Sequence, residues 1–266
     1  MRWNKKNGGG WVSRCGLAGA VLLFGAIGLI RAQTTPATST TTPSSANPAP
    51  STQPPPAQPQ PPSIATPKPL VMIDPAHGGS ESGAVLNPLI LEKDVTLALA
   101  RRLRLDLGTR GFTAELVRDS DVNLSTDDRA AKANAAHPVL YVCLHATSET
   151  GGLRVYTAML GEGKDGHGPF ADWETAQFPS LAASRAAQQE ITTAIQKSGI
   201  SARALPAPLR PLNNVISPAV AIELGPSKAD VSQLVSADYL QTVSAALANG
   251  ITQVLSASGT TSGMSR

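Results

Sequence analysis

Two histidines and one glutamate stand where predicted strands end or a predicted helix begins. His77 follows a short apolar run and precedes two glycines, Glu92 opens an amphipathic segment, and His145 closes a β-branched and aromatic run. Two imidazoles and one carboxylate form a ligand set that suits zinc and leaves a fourth tetrahedral position for water. Their spacing is not the single-helix H-E-x-x-H pattern, so the fold must bring them together.

A fourth candidate, Glu223, lies in an otherwise apolar predicted strand between Ile222 and Leu224. Because an unpaired buried charge is costly, this carboxylate must find a partner or neutralise, and a functional role is expected. Each candidate also has a structural interpretation. A lone histidine is commonly a hydrogen-bonded core residue, and an acid at a helix start complements the helix dipole.

Other polar residues are weaker candidates. His137 precedes a proline and is interpreted as structural, whereas His167 lies in a glycine-rich loop without neighbouring ligands. Asp74 is a candidate either to hydrogen-bond the second nitrogen of a ligand histidine or to cap a loop. Arg129 is interpreted as a helix residue that pairs with nearby acids.

Alternating apolar runs and amphipathic segments from Pro69 onward predict the elements that must position these residues. Strands are predicted at 70–74, 112–117, 139–144, 153–160 and 219–224, and helices at 92–107, 125–136, 181–197 and 239–254. This alternation predicts a single α/β domain with a twisted, mostly parallel mixed sheet covered by helices on both faces. In such sheets, functional sites gather where strands end.

The first quarter of the chain has a different composition. Residues 1–32 contain five basic residues, no acid and an apolar run from Cys15 to Ile30, which predicts an export signal or, alternatively, an uncleaved anchor. Residues 33–68 hold eleven prolines and no acid, which predicts a disordered linker. Residues 69–256 are then predicted to form the working domain, and residues 257–266 a flexible tail.

The charge of the chain limits the classes of partner that are expected. Without the leader, 17 Lys and Arg stand against 19 Asp and Glu, a net charge of −2. No basic cluster with interleaved aromatics remains, so nucleic acid is not expected as a partner, and membrane contact is expected only through the N-terminal segment.

Cys143, the remaining cysteine, faces the same side of its strand as His145 and either approaches a metal or packs as a small hydrophobe.

Several short blocks occur in the order typical of one enzyme family. Over nearly all of residues 70–254 the chain resembles the zinc-dependent N-acetylmuramoyl-L-alanine amidases of type 3, the cell-separation and sporulation amidases. The blocks that carry the resemblance are Ile73-Asp74-Pro75-Ala76-His77-Gly78-Gly79, Gly83-Ala84, Leu91-Glu92-Lys93-Asp94-Val95, Asp128-Arg129 through Asn134, Leu144-His145-Ala146 and Val220-Ala221-Ile222-Glu223-Leu224-Gly225.

The resemblance implies that His77, Glu92 and His145 bind Zn²⁺ and that Glu223 is the catalytic carboxylate. It implies hydrolysis of the amide bond between N-acetylmuramic acid and L-alanine in peptidoglycan, in the periplasm or at the cell wall. Glu223 would take a proton from a zinc-activated water and later pass one to the leaving amine. In some relatives an inserted segment blocks the zinc until a protein partner removes it. The long loop 161–180 is therefore a candidate lid, binding element or control segment, and a protein activator is a candidate partner.

Four positions depart from the family pattern. Ala76 replaces a typical glycine and needs a backbone conformation that tolerates a Cβ, and Cys143, Thr147 and Pro226 also differ from the usual residues. These changes bear on substrate positioning and leave the candidate ligands in place. Two other functions stay open: a weak or inactive amidase-like regulator that binds peptidoglycan, and a zinc peptidase that cuts within the stem peptide.

Overall fold

A computed structural model describes residues 68–160 and 176–262, which form a six-stranded sheet, a short hairpin and four α-helices. The strands are β1 (Leu70–Pro75), β2 (Val85–Asn87), β3 (Ile90–Leu91), β4 (Thr113–Leu116), β5 (Leu140–Ala146), β6 (Leu153–Ala158), β7 (Ala202–Ala207) and β8 (Ala219–Leu224). The helices are α1 (Glu92–Thr109), α2 (Thr126–Ala136), α3 (Leu181–Lys197) and α4 (Ala237–Ser262). The predicted leader, residues 33–67 of the predicted linker and residues 161–175 of the long loop lie outside the described residues. Among the described helices, none is long and apolar enough to cross a membrane.

The sheet has the strand order β4-β1-β5-β8-β6-β7, and its first four strands run parallel. β6 pairs antiparallel with β8 and parallel with β7. The mostly parallel mixed sheet predicted from the sequence is therefore confirmed. Because β1, β5 and β8 are neighbours, the residues at their carboxyl ends meet at one edge of the sheet.

Helices cover both faces of the sheet, as the alternation of elements predicts. On one face, α1, α3 and α4 contribute Leu103, Ile191 and Leu247 to the larger apolar core. On the other face, Ala130 and Ala133 of α2 belong to a second core. Each fully buried Leu or Ile side chain contributes about 1.5–3 kcal/mol through removal of apolar surface from water. These two apolar layers cover both faces of the sheet that carries the candidate site.

The ends of α2 follow from its sequence. The Ser125 hydroxyl accepts a hydrogen bond from the Asp128 backbone N–H at 3.0 Å, which satisfies one of the free donors of the first turn. The helix ends at His137, which has a left-handed φ of 47° immediately before Pro138. His137 is therefore a helix-terminating residue, as its structural interpretation suggests.

Some elements differ from the sequence-based expectation. β7 was not predicted because it is an edge strand with mostly exposed residues and Pro206, so it shows no apolar alternation. The strands β2 and β3 have only three and two residues, too few for periodicity to register. β5 continues to Ala146, so His145 lies inside the strand, and α4 continues to Ser262, into the predicted tail.

Candidate metal centre

The turn after β1 presents His77 in a left-handed backbone conformation. His77 has a φ of 61°, and Gly78 and Gly79 follow with φ of 137° and 59°. A Cβ at position 78 would lie 2.3 Å from the carbonyl oxygen of Val122, so this close approach requires glycine. Among the described residues, His77 and His137 are the non-glycines with positive φ, and Ala76 is not one of them. The backbone at Ala76 therefore tolerates a Cβ, and the residue in a rare conformation is the candidate ligand itself.

Two buried arginines hold the main chain of this turn. Arg118 donates hydrogen bonds to the carbonyl oxygens of Pro75 at 2.8 Å and Ala76 at 3.0 Å. Arg129 donates to the carbonyl oxygens of Pro75 at 3.0 Å and His77 at 2.7 Å. Burial and the neighbouring charge of Arg129 lower the pKa of Arg118. Three successive carbonyl groups are thus fixed by charged donors, which restricts the position of His77.

Asp74 serves Arg129 and not a candidate ligand histidine. Its Oδ1 lies 2.5 Å from Nη1 of Arg129, and its Oδ2 accepts a hydrogen bond from the Tyr141 hydroxyl. The sequence-based expectation that Arg129 pairs with an acid agrees with this contact, but the acid is 55 residues away, on β1. All three groups are buried, and removal of one partner from a buried ion pair typically costs 3–5 kcal/mol.

Glu92 lies between the two candidate imidazole ligands. Its Oε2 is 3.3 Å from Nε2 of His77, and its Oε1 is 2.9 Å from Nδ1 of His145. The two imidazole rings meet edge to face, with their centroids 5.4 Å apart. One ligand atom from each of the three residues lies within 4.8 Å of the others. The structure therefore brings together the three residues that the sequence analysis singles out, from β1, α1 and β5.

Backbone groups fix the carboxylate of Glu92. The N–H of Ala84 donates to Oε2 at 2.8 Å, and the N–H of Ala146 donates to Oε1 at 3.1 Å. Burial alone would raise the pKa of Glu92, but hydrogen bonds to His145 and His77 and from the Ala84 backbone outweigh it. The pKa of this carboxyl is therefore well below its usual range. The hydrogen bond to Glu92 is also the main cause that raises the pKa of His77.

This donor set fits a zinc ion. Zinc binds imidazole nitrogen at about 2.0–2.1 Å and carboxylate oxygen at about 2.0–2.2 Å, so tetrahedral donors lie roughly 3.3–3.5 Å apart. With one donor atom taken from each residue, the three atoms lie within 4.8 Å of one another, so small side-chain movements bring them to that spacing. Cys143 is not part of the three-donor group, and burial raises the pKa of its thiol well above the usual value. It therefore packs as a small buried hydrophobe in this part of the chain.

The absence of a side chain at Gly83 leaves room for the side chains of this donor set. A Cβ there would lie 2.6 Å from both Glu92 Oε2 and His77 Cδ2, at a backbone φ of 67° that strains any L side chain. We expect Gly83→Ala to weaken zinc affinity about 10- to 100-fold, a loss typical of disturbed ligand support. Competition with a chromophoric chelator measures this change.

Gly108 provides the matched control for that substitution. It lies in α1 and has no atom within 4 Å of an added Cβ. Gly108→Ala should leave zinc affinity unchanged and stabilise the protein by up to about 0.5–1 kcal/mol. Equal zinc affinities in the two variants would contradict the role assigned to the space at Gly83.

Glu223 lies on β8 beside His145 on β5. The two residues are register partners in parallel strands, which lie about 4.8 Å apart, so their side chains leave the sheet on the same face. Oε2 of Glu223 accepts a hydrogen bond from Nη1 of Arg154 at 2.9 Å and another from the Tyr156 hydroxyl at 3.0 Å. Burial and the charge of Glu223 raise the pKa of Tyr156 to about 12, so its hydroxyl stays a donor over the physiological range.

Arg154 and Tyr156 are residues that the sequence analysis missed. Both lie on β6, and the Nη2 atom of Arg154 also donates to Oε2 of Glu149 at 2.9 Å. Burial lowers the pKa of Arg154, but its hydrogen bond to Glu223 and the charge of that residue raise it overall. The available signal was an arginine two residues before a tyrosine in an apolar strand, which places two polar side chains on one face.

Two cavities border His145. One has a volume of about 180 Å³ and is lined by His145, Tyr156, Ala207, Leu209 and Glu223. The other has a volume of about 70 Å³, and its lining includes His77, His145 and Cys143. His145 therefore lines both the space beside His77 and the space beside Glu223.

The fold is α/β, with a mostly parallel sheet. A His-Glu-His donor set lies at the carboxyl ends of its strands, and a further carboxylate lies on the strand beside His145. These features define a protein with a candidate hydrolytic metal site. The chain belongs to the N-acetylmuramoyl-L-alanine amidase family, whose sequence profile matches residues 71–253. This confirms the resemblance noted from the sequence blocks.

Individual relatives agree with this assignment. An endolysin of Bacillus phage SPP1 is 34% identical over 197 residues, which cover 70% of this chain and 66% of the endolysin. The chain spans only 16–20% of the length of three further curated amidases that it matches. The solved structure of the amidase AmiC2 of Nostoc punctiforme has 26% identity and a TM-score of 0.57, over 71% of this chain and 97% of that one. The catalytic domain of CwlV from Bacillus (Paenibacillus) polymyxa has 23% identity and a TM-score of 0.58, over 71% and 98% of the two chains, and shows the shared fold.

Proposed function

We propose that this protein is a zinc-dependent amidase that hydrolyses the bond between N-acetylmuramic acid and the L-alanine of peptidoglycan stem peptides. The observation that carries the proposal is the convergence of His77, Glu92 and His145 beside Glu223, inside the region matched by the amidase family. The relatives support the same bond, since the AmiC protein of Neisseria meningitidis and AmiC2 of Nostoc punctiforme are N-acetylmuramoyl-L-alanine amidases.

In this mechanism, His77, Glu92 and His145 would hold Zn²⁺, and Glu223 moves the proton. A zinc ion at this position would polarise an amide carbonyl and lower the pKa of a bound water to about 7. Glu223 accepts a proton from the attacking water as the oxygen adds to the lactyl carbonyl carbon. As the carbon–nitrogen bond breaks, the same carboxyl returns a proton to the amine of L-alanine. A free carboxylate on the glycan strand and a stem peptide with a free N-terminus result.

The proposal includes export to the periplasm or cell wall, where peptidoglycan lies. It rests on the basic and apolar composition of residues 1–32 and on the acid-free, proline-rich segment that follows. We propose that residues 33–68 tether the amidase domain and let it reach its polymeric substrate. Control by a protein activator is part of the same hypothesis.

Digestion of purified sacculi tests the reaction directly. Residues 69–266 are incubated with sacculi, with and without a chelator, and the soluble products are identified by mass spectrometry. We expect free stem peptides that begin at L-alanine, their loss on chelation, and recovery after zinc is added back. This result supports the amidase.

The alternatives give different products in the same assay. Fragments produced by cuts within the stem peptide would indicate a zinc peptidase. Binding to sacculi without any released peptide would indicate a peptidoglycan-binding regulator. Release that is unaffected by a chelator would contradict the metal-dependent mechanism.

A further inference from the structure

We propose that Arg154 is the positioning residue of Glu223, with Tyr156 as its assistant, so that one carboxylate oxygen is held and the other faces the reacting groups. This inference rests on the proposed amidase function, because it concerns the residue proposed there to move the proton. It assigns a role to a buried arginine that the metal site does not use.

The guanidinium group of Arg154 contacts two carboxylates, one through each of its two terminal nitrogens. Nη1 lies 2.9 Å from Oε2 of Glu223, and Nη2 lies 2.9 Å from Oε2 of Glu149. The Arg154 side chain is 11% exposed, the Glu223 side chain 27% and the Glu149 side chain 74%. The exposed carboxylate of Glu149 therefore fixes the Nη2 side of the guanidinium group near solvent. The Nη1 side holds the carboxylate of Glu223.

The sheet register explains why Arg154 can do this. Arg154 and Glu223 are paired residues of the antiparallel strands β6 and β8, and His145 is the parallel partner of Glu223 on the other side. The three side chains therefore follow one another across the sheet, from Arg154 through Glu223 to His145. Arg154 therefore contacts the Glu223 carboxylate from the side opposite to His145, the proposed metal ligand.

Both hydrogen bonds to Glu223 go to the same oxygen. Arg154 Nη1 and the Tyr156 hydroxyl both donate to Oε2, at 2.9 and 3.0 Å. Two donors on one oxygen, one of them charged, fix the plane and rotamer of the carboxyl group. Oε1 is then the oxygen that we assign to proton transfer, and Glu223 lines the cavity of about 180 Å³ together with Tyr156 and His145.

Correct placement of a proton-transfer group affects turnover more than substrate binding. A displacement of about 1 Å can cost as much as 100-fold in rate. We therefore expect Arg154→Met to lower kcat about 10- to 100-fold with KM changed less than threefold. Zinc affinity should stay near that of the unchanged protein, because the hydrogen bonds of Arg154 go to Glu223 and Glu149 and not to the three donors. The thermal unfolding midpoint should fall, because the substitution leaves the partly buried carboxylate of Glu223 without its charged partner. Arg154→Lys, which keeps the charge but not the planar two-ended contact, should recover part of the lost kcat.

Arg203 supplies the matched control. It is the register partner of Arg154 on the edge strand β7 and is exposed, so Arg203→Met removes an arginine one strand further from Glu223. We expect Arg203→Met to keep kcat within twofold. Tyr156→Phe removes the second hydrogen bond to Oε2 and should lower kcat by a smaller factor than Arg154→Met.

The assay uses the full chain on sacculi, with kcat and KM from the released stem peptides. If the unchanged protein releases no stem peptides, the proposed function fails. If the unchanged protein is active and Arg154→Met keeps kcat within twofold, the positioning role is overturned while the proposed function stands. A fall in kcat shared equally by Arg203→Met would also overturn it. Should Arg154→Met fail to fold, Arg154→Lys decides: a kcat indistinguishable from that of the unchanged protein overturns the role, and a several-fold loss at unchanged zinc affinity supports it.

Discussion

Glu223→Gln is expected to lower kcat about 10³-fold and to leave zinc affinity within twofold of that of the unchanged protein. General acid–base groups typically contribute 10²- to 10⁴-fold in rate, and a glutamine side chain cannot accept the proton of the attacking water. The amide has nearly the shape of the carboxylate, and its oxygen can still accept hydrogen bonds from Arg154 and Tyr156. The donor set is untouched, since Glu223 is not one of the three grouped residues. Stem-peptide release, followed with a zinc titration, measures both quantities.

A second carboxylate on the same sheet controls for the loss of charge. Glu115 lies on β4, at the far edge from β8, and is exposed. Glu115→Gln should retain full activity and the same zinc affinity. If Glu223→Gln keeps more than a tenth of the original kcat, the assignment of the proton-transfer group is wrong. If it loses zinc together with activity, Glu223 supports the metal and the mechanism must be revised.

Local patterns were sufficient to predict most of the elements that carry the site. α3 and β8 lie at the predicted residues, and β1 and β5 differ from the prediction by one or two residues at their ends. Buried parallel strands are continuous apolar runs, and such runs are easy to find in a sequence. Because His77 and His145 lie where these runs end, their approach to each other follows from the parallel arrangement.

The supporting contacts could not be predicted, because they join residues far apart in the chain. Arg129 contacts Asp74 across 55 positions, and Arg154 contacts Glu223 across 69. The second contact depends on β6 pairing antiparallel with β8, and nothing in the sequence of β6 specifies its direction in the sheet. Long-range pairing of this kind follows from the whole fold and not from local periodicity.

The left-handed conformation of His77 was also not apparent. At position 76 an alanine replaces the glycine of the family pattern, yet the backbone there tolerates the extra carbon. The strain lies one residue later, where the carbonyl oxygens of Pro75, Ala76 and His77 are all held by buried arginines. A non-glycine with positive φ persists only when its surroundings fix it, which those hydrogen bonds achieve.

Glu92→Gln is the second substitution with a large expected effect, and it tests the metal site itself. Both carboxylate oxygens of Glu92 accept hydrogen bonds from backbone N–H groups, those of Ala84 and Ala146. A glutamine must turn its NH₂ group toward one of these donors in either orientation, so one buried N–H loses its acceptor at a cost of about 1–3 kcal/mol. The substitution also removes the negative charge that balances the cation. We therefore expect zinc affinity to fall by at least about 100-fold, more than the 10- to 100-fold typical of indirect ligand support.

Asp94 gives a close control for this second experiment, because it lies in the same first turn of α1 and is exposed. Asp94→Asn removes the same charge from the same helix end, so any effect of the helix dipole appears in both variants. Zinc content by mass spectrometry and affinity by chelator competition should separate them, with Asp94→Asn unchanged. Thermal unfolding measured with a chelator present shows how much stability is lost with the hydrogen bond alone. Thermal unfolding measured with zinc shows, in addition, the stability lost with the zinc-binding energy. If Glu92→Gln binds zinc within threefold of the unchanged protein, Glu92 is a helix-start acid that orients the two histidines, and the metal would have to be held without it.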